Sequence, residues 1–247
     1  MGADRFLSWA STHVGTVRSH NEDALVNRPD LGLWAVADGA GGHSRGDVAS
    51  RMIVEALEAI PPDLSAGEML LEVRQRVTEA HETLRGSGDD ENHVISASTV
   101  VVLIARGDHF ACLWAGDSRA YLLRDGAMTQ ITRDHSLVQE LVDAGAITAA
   151  EAETHPSANV ITRAVGSDGE LDLDKVTSAM LPGDRFLLCS DGLCKTVPDA
   201  EMAALMASPA PGGPADPLIS AALAHRGRDN VTAVAVEVLA ASDGGQD

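Results

Sequence analysis

Positive charge is scarce in this chain: 18 lysines and arginines stand against 37 aspartates and glutamates over 247 residues, for a formal net charge of -19. The basic residues form no stripe or cluster, so a nucleic-acid backbone would be repelled, and nucleic acid is excluded as the main partner. Cysteine is also sparse. Cys112, Cys189 and Cys194 are an odd set without zinc-finger spacing, and they read as packing residues in a reducing cytoplasm. There is no run of about 18 apolar residues and no hydrophobic leader core, so the expectation is a cytoplasmic protein with no membrane span. Phe6 stands where a myristoylation signal needs Ser or Thr. The glycine-rich stretch after Asp38 lacks both Gly-Lys-Ser/Thr and GxGxxG, which argues against a nucleotide loop.

Apolar residues, at 45%, are plentiful enough for a sizeable core. Strand-like runs include 8–13, 33–37, 98–104, 109–115, 119–123, 184–189 and 230–238, several of them joined by short Gly- or Asp-containing turns in the manner of an antiparallel meander. Helical signals interleave. Ser65-x-x-Glu68, Ser136-x-x-Gln139 and Thr148-x-x-Glu151 fit capping boxes. A helix over 52–60 stops at Pro61-Pro62, and Met69, Leu70, Val73, Val77, Ala80 and Leu84 recur at helical spacing, which together predict a helical hairpin. Helices in pairs between groups of strands favour packed sheets covered by helices over βαβ units. The predicted fold is α+β, a four-layer α-β-β-α sandwich of two antiparallel sheets flanked by helix pairs. It forms a single domain over residues 1–241, with surface loops near 86–92 and 209–217 and a flexible tail at 242–247.

Three apolar runs end in an aspartate beside a glycine: 33–37 before Asp38-Gly39, 110–115 before Gly116-Asp117, and 186–189 before Ser190-Asp191-Gly192. One Asp-Gly alone reads as a turn. Recurrence at the ends of rigid strands instead suggests carboxylates gathered round a cation, which would relieve their mutual repulsion. Gly39 then exposes a backbone carbonyl as a hard-cation ligand. The segment 15–23, with Arg18, Asn21, Glu22 and Asp23, reads either as a solvated loop with internal ion pairs or as part of that site. All-oxygen donors point to Mg²⁺ or Mn²⁺ ahead of zinc.

In this order and spacing, Arg18 with Asn21-Glu22-Asp23, Asp38-Gly39, Ser98-Thr99, Gly116-Asp117-Ser118-Arg119, Asp134-His135-Ser136, Ser190-Asp191-Gly192 and Gly227-Arg228-Asp229-Asn230 closely resemble the PP2C (PPM) family of metal-dependent serine/threonine phosphatases, in its short bacterial form. The resemblance spans about residues 10 to 238. It implies a centre of two Mn²⁺ or Mg²⁺ ions, with Asp38 bridging, Asp191 and Asp229 on the first ion, and the Gly39 carbonyl and, through water, Glu22 on the second. Asp117 matches the position of a third, weaker ion shared with Asp191. Arg18 would hold the substrate phosphate and Asn230 would help to orient that site. Such a pair of ions, about 3.5 to 4 Å apart, activates water for in-line attack on phosphorus without a covalent phosphoenzyme. Ala40 stands where many animal members carry a general-acid histidine, and His43 either substitutes for it or is structural.

The implied activity is dephosphorylation of phosphoserine and phosphothreonine proteins, opposing a Ser/Thr kinase in bacterial signalling. The expected partners are that kinase and its substrates, and the expected state is a monomer. The competing readings are a catalytically silent phosphoprotein-binding module, against which the full complement of acids argues, and a hydrolase of small phosphate esters.

Overall fold

The computed structural model describes residues 5–41, 45–86, 96–208 and 211–240. Two antiparallel sheets face each other. One contains β1 (Phe6–His13), β11 (Val231–Val238), β10 (Arg185–Cys189), β7 (Arg119–Arg124) and β8 (Ala127–Gln130), in that spatial order. The other runs β2 (Asp23–Arg28), β3 (Leu33–Ala40), β5 (Val100–Arg106), β6 (His109–Ala115) and β9 (Asp174–Ala179), and the short β4 (Ala97–Ser98) pairs with the end of β3. Helices α1 (Gly46–Glu58) and α2 (Ala66–Gly86) cover the second sheet, and α5 (Asp191–Cys194), α6 (Asp199–Ala207) and α7 (Ala215–Ala224) cover the first. The remaining helices, α3 (Leu137–Asp143) and α4 (Ala149–Glu153), lie in the long excursion between β8 and β9.

Each central strand is buried on both faces, which is why its sequence is a continuous apolar run and not an alternating one. On β3, Trp34 and Val36 point between the sheets, whereas Leu33, Ala35 and Ala37 meet α1 and α2. On β11, Val234, Val236 and Val238 point inward, and Val231, Ala233 and Ala235 pack under the helices of the first sheet. Phe110 and Phe186 close the gap edge-to-face, with ring centroids 4.9 Å apart. All three cysteines are buried and free of disulfides, which suits packing residues.

The expected α1–α2 hairpin is present, although α1 begins six residues before the run at Met52 because Gly46, Ala49 and Ser50 also lie on its buried face. Two capping boxes close fully: Glu68 N–H donates to Ser65 Oγ while Ser65 N–H donates to Glu68, and Thr148 and Glu151 do the same. The third is only half formed. Gln139 N–H donates to Ser136 Oγ at 3.3 Å, but its side-chain amide turns to Asp143 at 2.8 Å. Strands β2, β8 and β9 go beyond the sequence reading; all are sheet edges or next to turns, and β9 is largely exposed, which blunts an edge but erases the hydrophobic signal.

Register brings the functional segments to one pole. His13 pairs with Val231, Cys189 with both Ala233 and Arg119, Asp23 with Asp38, and Val100 with Ala115. Antiparallel order therefore places segments 14–22, 39–41, 116–118, 190–191 and 229–230 together at one end of the sandwich.

Candidate active site

At this pole the inner face of the sandwich changes from apolar to polar within one step of each strand. Continuing the alternation of Leu188 and Val234 outward gives Ser190 and Thr232, and Trp34 and Val36 lead to Asp38. Asp23 lies directly across from Asp38 in the β2–β3 register, so two carboxylates occupy one cross-strand pair, an arrangement that is destabilising while both are charged. Burial pushes Asp23 up to about 7, against hydrogen bonds donated to its Oδ2 by Thr232 Oγ1 and Ser190 Oγ, each 2.7 Å. A relay of polar groups stands behind it: Asn21 Nδ2 donates to Thr12 Oγ1, which lies 2.7 Å from Thr232 Oγ1.

Asp38 is held by its backbone. Its N–H donates to Thr99 Oγ1 (3.1 Å), and its carbonyl accepts from Thr99 N–H (2.8 Å) and Ser98 Oγ (3.0 Å). Among the described residues, nothing hydrogen-bonds its carboxylate. Burial drives that carboxyl well above the usual range, and the charges of Asp23, Asp191, Asp117 and Asp229 add to the effect.

Glu22 is fixed through its main chain. Its N–H donates to Asn230 Oδ1 (2.8 Å), and its carbonyl accepts from Gly39 N–H (3.1 Å) and Ser50 Oγ (2.5 Å). The Asn230 Nδ2 donates to the Val14 and His20 carbonyls, both at 2.9 Å, so this side chain clamps segment 14–22 onto β11 and aligns Glu22. Glycines make room: a Cβ on Gly46 would come within 2.9 Å of the Glu22 carboxyl carbon and 2.7 Å of the Gly39 carbonyl oxygen.

Three further acids meet basic side chains. Arg18 grips Asp229 in a two-pronged pair, both contacts 2.9 Å, with each side chain about half exposed. Lys195 Nζ lies 2.7 Å from Asp117 Oδ2 and 2.9 Å from Asp191 Oδ2. Burial and the Asp117 charge raise the Asp191 carboxyl, with Lys195 opposing. With these pairs in place, no group of three or more His, Cys, Asp or Glu among the described residues is gathered tightly enough to hold a metal ion as it stands. The donor set nevertheless suits a hard divalent cation: it is all oxygen, the Asp117 Oδ1 and Asp23 Oδ1 are buried without a partner, and burial with four neighbouring acids disfavours the Asp38 anion until a cation is supplied.

Every expected site residue is thus placed at one pole, and His43 lies outside the described residues. Lys195 and Asp23 have parts that the sequence reading does not give them. Lys195 stands four residues after Asp191, a spacing that brings opposite charges together on one helical turn. The contribution of Asp23 depends on strand pairing, which a single sequence does not display.

A sequence model described as Protein phosphatase 2C matches residues 13–210. Serine/threonine protein phosphatase PstP of Mycobacterium tuberculosis is 37% identical over 231 residues, which are 93% of this chain and 44% of that protein. The chain therefore spans less than half the length of that relative. Among solved structures, PppA, a key regulatory component of T6SS in Pseudomonas aeruginosa, superposes with a TM-score of 0.88 at 40% identity, covering 97% of this chain and 100% of that one. The catalytic domain of PstP in complex with two manganese ions gives a TM-score of 0.85 at 35% identity, covering 96% and 99%. The fold is that of a protein phosphatase. This chain belongs to the protein phosphatase 2C family.

Proposed function

We propose that the chain is a metal-dependent protein serine/threonine phosphatase that removes phosphate from phosphoproteins in bacterial signalling, opposing a Ser/Thr kinase. The observation that carries this reading is the set of four aspartates, Asp23, Asp117, Asp191 and Asp229, converging on Asp38 at the pole of a phosphatase fold. Residues 1–241 act as one catalytic domain, monomeric and cytoplasmic. Two divalent ions fit the donors, Mn²⁺ by analogy with the PstP structure and Mg²⁺ by the same oxygen chemistry. Asp38 would serve both, Asp191 and Asp229 would hold one, and the Gly39 carbonyl and, through water, Glu22 the other.

When bound, the ions supply Lewis acidity that ionises water at neutral pH and offsets phosphate charge. The protein groups prepare the site. Asn230 and Gly39 set the position of Glu22, and Thr99 and Ser98 fix the end of the Asp38 strand. Arg18, whose planar fork matches the two oxygens of Asp229, is shaped to transfer that grip to phosphate oxygens once Asp229 faces a cation. Since position 40 is Ala, no side chain directly after Asp38-Gly39 can deliver a proton to the leaving oxygen, and either His43 or solvent in the site would take that part.

The test is hydrolysis of a phosphothreonine peptide. Turnover should need added Mn²⁺ or Mg²⁺ and stop with EDTA; undiminished turnover in EDTA would overturn the reading.

A further inference from the structure

Lys195 occupies a place in the site where a cation is called for. Asp117 sits in the turn between β6 and β7 with its side chain almost wholly buried, and Asp191 opens α5. Carboxylates this close need a positive charge between them. Lys195 provides one from within the chain, with Nζ at 2.7 Å from one carboxylate and 2.9 Å from the other.

The lysine is positioned by the same turn that carries Asp191. Its N–H donates to the Asp191 carbonyl at 2.8 Å. The turn in its turn is locked against the 229–230 segment, where a Cβ on Gly192 would fall 1.9 Å from the Asn230 carbonyl oxygen. A further divalent ion the size of Mg²⁺ between Asp117 and Asp191 would need oxygen ligands at about 2.0 to 2.1 Å, which places it inside the space the ammonium fills. It would have to displace two charged hydrogen bonds made by a group whose tether keeps its local concentration high.

We infer that Lys195 is a tethered cation that closes the Asp117–Asp191 pair to a metal ion, so that this chain works with two divalent ions and leaves the further place to its own ammonium. This rests on the two-ion reading of Asp38, Asp191 and Asp229. Lys195 acts here through the carboxylates and is a positioning residue, with no part in bond making.

Mn²⁺ uptake by the purified full chain, counted by the electron paramagnetic resonance signal of free Mn²⁺, tests it in wild type, Lys195→Ala, Lys195→Asp and Asp117→Asn. Wild type and Asp117→Asn should both take up two ions. Lys195→Asp should take up one more, and Lys195→Ala should take it up more weakly. Three ions in wild type, with one lost in Asp117→Asn, would overturn the inference, as would two ions in both lysine variants. No uptake by wild type would instead remove the two-ion reading and this inference with it. The Lys195 side chain is 29% exposed, and if Lys195→Asp does not fold, Lys195→Ala decides the outcome.

Discussion

The acids at the active pole fall into two groups. Asp117, Asp191 and Asp229 each face an arginine or lysine, whereas Asp23 accepts only from two hydroxyls, the Asp38 carboxylate has no hydrogen bond among the described residues, and the two oppose each other across a strand pair. The first group is neutralised by the chain itself. The second carries repulsion that the fold tolerates, and tolerated strain of this kind marks the place where function works against stability. Asp38 is thus the acid with most to gain from an external cation.

Replacing one member of each group tests that division. Asp38→Asn should lower phosphatase activity by roughly 10³-fold or more, through loss of the charge between the ions. Calorimetry in EDTA should find the same variant at least as stable as wild type, since a neutral amide relieves the repulsion. Asp229→Asn should also lose activity but gain no stability in EDTA, because it removes the partner of Arg18. Equal thermal responses of the two variants would break the comparison.

Arg18 gives a smaller effect. Its pair with Asp229 is about half exposed, so it adds little to stability. Arg18→Ala should leave the melting temperature in EDTA nearly unchanged, yet raise KM by roughly 10-fold, the scale of one charge-assisted contact. Arg18→Lys keeps the charge without the planar fork and should fall between. A change in kcat alone would mean that Arg18 does not bind ground-state phosphate.

Much of this division is legible in the sequence, and the unread part has a physical reason. Asp38, Asp117 and Asp191 stand out because each follows an apolar strand, and strands buried on both faces are the easiest to recognise. Asp229 follows no such run and gains its place only through the family pattern. Strands β8 and β9 escape notice because edges are kept polar and exposed. The opposition of Asp23 to Asp38 is a fact of register between segments separated by a turn, and periodicity within either segment does not contain it. Lys195 is different. Its spacing from Asp191 is visible, but the second carboxylate it holds lies 78 residues away.

Outside the acidic group, His135 shows how a buried titratable residue behaves where its hydrogen bond demands the neutral form. Its Nδ1 accepts from Gly116 N–H at 3.1 Å, its ring stacks on Trp114 with centroids 6.1 Å apart, and Nε2 lies 3.2 Å from an Asp174 oxygen. A proton on Nδ1 would face the Gly116 N–H. Burial lowers the imidazole below its usual value, the contact with Asp174 opposes this, and nearby Arg163 reinforces the lowering. For a base lowered in the folded state, the stabilisation is complete above the unfolded-state value near 6.5 and declines as pH falls toward the folded-state value. His135→Ala should cost about 1 to 3 kcal/mol at pH 7.5. The gap in melting temperature between wild type and variant, both in EDTA, should narrow as the pH is lowered to about 5. Taking the difference cancels the carboxylates common to both proteins, so a gap that stays constant or widens on acidification would show that His135 is not held neutral by Gly116.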